Sequence, residues 1–146
     1  AETYYANAQA AQEKLCALAE EGREALSGLK SRELITFHDG VGYFAEAFDL
    51  HTLRAIEEEE GSEASAKEIN EIAGLVKAYS LPVIFTEVNG SDATAQAIAR
   101  ETGCAVAQLS MCMDGPEEGT LSDYYTVLAD NVTAVVNGFA GEEVIR

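Results

Sequence analysis

At 146 residues, 47% of them hydrophobic, the chain is long enough to bury one sizeable core and has no need of a second domain. A formal charge of -17, from 26 acidic against 9 basic residues, argues against nucleic acid and anionic membrane surfaces as partners and leaves cations. No window is apolar over the roughly eighteen residues that a membrane span needs, and Cys16, Cys104 and Cys112 are too few and too scattered for a disulfide framework.

From Glu2 to Leu29 the pattern is alanine-rich and helical, with leucines recurring at helical spacing, Gly22 as the interruption and Gly28 as the expected cap. Glu33 to Phe37 reads as a buried strand. It ends at His38-Asp39-Gly40, where a helix from about Val41 to Phe48 begins. Leu53 to Ile56 is a second apolar run, and Glu57 to Glu60 a solvated acidic one. Ser65 and Glu68 have capping-box spacing, and the helix they open carries Ile69, Ile72, Ala73, Val76 and Tyr79 on one face. Val83 to Thr86 is a third strand. A helix capped by Ser91 or Asp92 follows and stops at Gly103. Ala105 to about Leu109 is the fourth strand, and a last helix capped by Ser122 buries Tyr125, Leu128, Val132, Val135, Val136 and Phe139. Tyr43, Phe44 and the Tyr124-Tyr125 pair read as packing residues.

Strands alternating with helices predict an α/β fold: a four-stranded parallel sheet with helices on both faces, preceded by a long N-terminal helix. In such sheets ligands bind where strands end and helices begin. His38, Asp39, Glu57, Glu87, Cys112 and Asp114 all follow strand ends and should gather at that carboxyl edge, whereas His51 precedes a strand and belongs at the opposite one. The chain has no GxGxxG, GxxxxGK[ST] or GxSxG motif. A histidine among carboxylates and a cysteine remains, a donor set suited to zinc or another transition ion. Each residue also has an ordinary reading. Asp39 can cap the next helix or orient His38, Glu87 can fix a turn, and Cys112 can be plain core.

The stretch FHDGVGYFAEAF, Phe37 to Phe48, resembles the FHDAFGYFA-type segment of the zinc- and manganese-type solute-binding proteins of bacterial ABC transporters. Further pieces match in order. Tyr5-Ala6-Asn7-Ala8 and the leucines after it look like the long helix joining that family's two lobes. Glu63 to Ile69 is similar to its EPSAKDL segment, Ile84 to Glu87 with Ile98 to Gly103 to its IFTEP…IAEETG block, and Tyr124-Tyr125 through Asn131 to its YLDLMRYNL-type helix.

The resemblance implies that residues 1–30 are the inter-lobe linker helix and 31–146 the C-terminal α/β metal-binding lobe of a larger two-lobe protein. It implies no enzyme but a receptor that delivers zinc, or alternatively manganese, to an ABC permease from an extracytoplasmic position, in the periplasm or lipid-anchored. His38 falls at the family's third ligand position; two histidine ligands belong to the missing N-terminal lobe. The fourth position falls near Cys112, with Asp114 or Ser110 as alternatives, and Asp39 and Glu87 are expected to support the ligands from behind. Two other readings stand beside this one: a small hydrolase or transferase with His38 as base and Cys112 as nucleophile, and a degenerate lobe kept for protein contact.

Overall fold

The computed structural model describes residues 2–56, 64–88, 92–113 and 123–145. Along them run α1 (Glu2–Ser27), β1 (Glu33–Thr36), a 3-10 turn (Asp39–Val41), α2 (Gly42–Ala47), β2 (His51–Ala55), α3 (Ala66–Tyr79), β3 (Val83–Glu87), α4 (Ala93–Thr102), β4 (Ala105–Leu109) and α5 (Asp123–Ala140). The strands form one parallel sheet in the order β2-β1-β3-β4, so the expected α/β fold behind a long first helix is the one that forms.

β1 and β3 take the centre because their apolar runs do not alternate with polar residues. Leu34, Ile35, Val83, Ile84 and Phe85 are all 1% exposed or less, as strands covered on both faces require. Successive residues feed opposite faces of the sheet. Leu34, Val83 and Phe85 pack with Leu26 of α1, Ala45 of α2 and Val132, Val135 and Val136 of α5. Ile35 and Ile84 pack with Ile72 and Val76 of α3 and with Ala95 and Ile98 of α4.

The chain leaves β1 through α2 toward β2, and leaves β3 through α4 toward β4, in the opposite direction and over the opposite face. The winding therefore reverses between β1 and β3, the point at which an open sheet has its crevice.

Helix ends follow local chemistry. Ser65 accepts from the Glu68 amide while the Glu68 carboxylate accepts from the Ser65 amide, the capping box expected from spacing. Gly103 closes α4 at φ +79, with its amide on the Ala99 carbonyl.

Other expectations are corrected. α1 does stop at Gly28, with Ser27 its last residue and the Leu29 amide on the Leu26 carbonyl, but Gly28 closes it without a left-handed backbone. Asp92 sits at the start of α4 but makes no side-chain cap bond. Tyr79 is 48% exposed, because Ser80 turns left-handed and Leu81 folds back, its amide on the Val76 carbonyl, to take the buried place. Tyr43 is 90% exposed: Val41, Ala45 and Phe48 take the inward face of the short α2, and Tyr43 falls opposite them. Tyr124 is exposed as well, while Phe44 packs on the Phe48 ring at 4.8 Å. Ser91, Ser122 and Glu57 to Glu60 lie outside the described residues.

Candidate metal centre

Thr36 of β1 is level with Phe85 of β3. Two residues further along each strand direction, His38 and Glu87 come level in turn, at the point where the winding reverses. The imidazole Nε2 of His38 stands 3.3 Å from Oε2 of Glu87, and the two side chains are 21% and 23% exposed. The pair lines a small notch with Thr36, Val41, Thr86 and Met111, of about 10 Å³, room for one water-sized guest and no organic substrate.

The scaffold around the pair is fixed by buried polar contacts. The Thr36 hydroxyl donates to the carbonyl of His38 at 3.0 Å and holds the turn out of β1. The Thr86 hydroxyl donates to the Ala107 carbonyl at 3.4 Å and ties the end of β3 to β4. From the third strand, β4, Ser110 is gripped by Asn131 of α5, and Met111 beyond it closes the notch over Gly40. A methyl group added at Gly40 would collide with the Met111 thioether, so the loops after β1 and β4 touch there.

The other residues singled out in the sequence are placed as follows. Asp39 opens the 3-10 turn and is exposed; neither that turn nor α2 has a side-chain cap, so the capping role for Asp39 is not realised. Cys112 is half-buried, with a left-handed backbone at φ +56, its amide on the Ser110 hydroxyl at 3.2 Å. Burial pushes its thiol up, away from the thiolate form. Asp114 lies outside the described residues. His51 opens β2 at the opposite edge, level with Glu33 and exposed, as expected. Among the described residues no third histidine, cysteine or carboxylate joins His38 and Glu87 to complete a metal-binding cluster. All three cysteines are free thiols.

Sequence reasoning assigned no role to Asn131 or Met111. Asn131 had a readable signal: it is an amide set directly before Val132 in a stripe of apolar residues, a position that needs a buried partner. Met111 had none, since a methionine after a strand looks like any other apolar residue.

One imidazole nitrogen beside one carboxylate, in an acidic chain and a notch this small, suits a divalent cation. Comparison with known proteins agrees. Residues 1–138 match the family model described as zinc-uptake complex component A, periplasmic. The chain is 32% identical over 150 residues to a zinc-binding protein, AdcA, of Streptococcus pyogenes, which takes in 99% of this chain and 29% of that one. The solved structure of the laminin-binding protein Lbp of Streptococcus pyogenes superposes with a TM-score of 0.79 at 30% identity, over 93% of this chain and 53% of its own. The structure of FpvC from Pseudomonas aeruginosa in complex with Mn2+ gives 0.75 at 26% identity, over 96% and 52%. The chain thus spans less than a third of that curated relative and about half of those solved chains. No helix among the described residues is long and apolar enough to cross a membrane. By the extent of its match, the chain belongs to the family of zinc-uptake complex component A.

Proposed function

We propose that this chain is the C-terminal lobe, with its inter-lobe helix, of an extracytoplasmic solute-binding protein that captures zinc, or manganese, and hands it to an ABC permease. The observation that carries the reading is the His38–Glu87 pair at the reversal of the sheet, a cation half-site open at the strand ends. His38 ligates through a neutral imidazole nitrogen, and acid competes for that nitrogen and weakens binding. The remaining ligands come from the other lobe, with Cys112 or Asp114 as the further candidate from this one; a thiolate would favour zinc and a carboxylate manganese.

The linker role of residues 1–30 is supported by how α1 packs. Residues 2–14 are exposed, and the buried residues of the helix, Leu18, Gly22 and Leu26, all lie in its second half, with Ala25 packed beside them. A helix that commits half its length to this body has the other half available to a second.

The reading is tested by titrating the complete protein with zinc and with manganese beside its His38→Ala variant. Loss of one ligand of four should weaken binding by about a hundredfold or more, the upper end of what supporting residues alone produce. Unchanged affinity in His38→Ala would remove the proposal. The Cys/His enzyme alternative draws no support from a Cys112 thiol that burial pushes up, away from the thiolate form, or from a histidine that stands against Glu87.

A further inference from the structure

Resting on the reading of this edge as a cation half-site, we infer that Glu87 is itself a ligand, sharing the ion with His38, and is not confined to orienting the imidazole from behind. The spacing carries the argument. Donor atoms bound to one tetrahedral ion at about 2.0–2.2 Å stand about 3.3–3.5 Å from each other, along one edge of the tetrahedron. The observed separation of Nε2 and Oε2 is 3.3 Å. A charge-assisted hydrogen bond between the same groups closes to about 2.7–2.9 Å, so the pair is set wider than an orienting contact needs.

The scaffold gives this spacing little freedom to relax. The two donors stand at the ends of adjacent central strands, where Thr36, the last residue of β1, and Thr86, just before Glu87 in β3, are 2% and 3% exposed and have their hydroxyls engaged. Both donors line the same notch and are partly exposed, 21% and 23%. The nitrogen from the turn after β1 and the oxygen from the end of β3 would then make this lobe's contribution two neighbouring ligands, without Cys112. A nitrogen and carboxylate pair is also less selective than a thiolate-containing set, serving both zinc and manganese.

The test uses the complete protein, with its cobalt(II) form as the spectroscopic probe, and compares Glu87→Gln with His38→Ala. Glutamine keeps an oxygen that can accept from the imidazole, so an orienting role survives the change. Direct ligation does not: the cobalt d–d bands should shift in position and intensity as the carboxylate leaves the ion, and zinc affinity should fall at least about thirtyfold, within the range known for loss of a metal-site residue. Glu87→Gln with the wild-type cobalt spectrum overturns the inference, whatever its affinity, because the ion then keeps the same ligands. If that spectrum is unchanged while His38→Ala abolishes binding, the inference alone has failed; if His38→Ala also binds as wild type, the half-site reading has failed with it.

Discussion

Asn131, in the middle of α5, donates from Nδ2 to the carbonyl of Ser110 and accepts the Ser110 amide on Oδ1, both at 2.8 Å. β4 has ended at Leu109, so the side-chain amide does for Ser110 what a neighbouring strand would do. It fixes where Met111 and Cys112 emerge beside the notch. Asn131→Ala removes both bonds and leaves two backbone groups unpaired, and should cost about 2–3 kcal/mol. Urea unfolding that places the loss under about 0.5 kcal/mol would show that the contact is dispensable.

Gly22 of α1 is where the helix meets α2: a Cβ there would run into the ring of Phe48. Gly22→Ala gains about 1 kcal/mol of helix propensity and loses about 1–3 kcal/mol to overpacking, so a net destabilisation is expected. Phe48→Leu should relieve it. The double variant should therefore be more stable than the sum of the single changes predicts, and simple additivity would contradict the contact.

The capping box at Ser65 should show its sign with pH. The Ser65 hydroxyl, and then its amide, hold the Glu68 carboxyl below the ordinary carboxylate range. A lowered folded value means that the contribution is complete above that range and is lost as pH falls through the folded value. Ser65→Ala should cost about 1 kcal/mol at neutral pH. The gap between wild type and variant should narrow on acidification; a gap that widens has the wrong sign for this box.

Thiol labelling separates Cys16 from Cys112. Cys16 lies exposed on α1, while Cys112 is half-buried with its thiol pushed up by burial. Iodoacetamide should modify the exposed Cys16 first and the half-buried Cys112 more slowly, since access and the thiolate form both govern the reaction. A Cys112 that reacts faster than a free thiol would bring back the nucleophile reading.

Much of this molecule could be read from its sequence because local signals agreed with the final fold. The apolar runs ending at Phe37 and Thr86, the Ser65–Glu68 spacing and the Gly103 stop each need only neighbouring residues to be understood. What escaped depends on partners far along the chain. That Glu87 shares an edge with His38 was readable from the strand ends; that these two side chains, and not the others at that edge, meet at 3.3 Å depends on β1 and β3 being neighbours in the sheet. Gly22 looked like a flaw in a helix because Phe48, which explains it, belongs to another. Tyr43 looked buried because aromatic residues usually are; its side of α2 depends on which three neighbours the sheet claims.

The reversal of winding between β1 and β3 also determines when the notch exists. His38 and Glu87 come together only after the chain has gone out through α2 and β2 and been carried back past β1 by α3. This is a contact of high sequence separation, of the kind that costs loop closure and that folding acquires slowly. An unfolded chain offers each donor alone. A cation held between them, as proposed, would therefore stabilise the native sheet and give nothing to the unfolded chain, by an amount that grows with the logarithm of its free concentration over its dissociation constant. Loading would then act as a lock on the crossover, and the midpoint of thermal unfolding should rise with each tenfold increase in free metal above the dissociation constant.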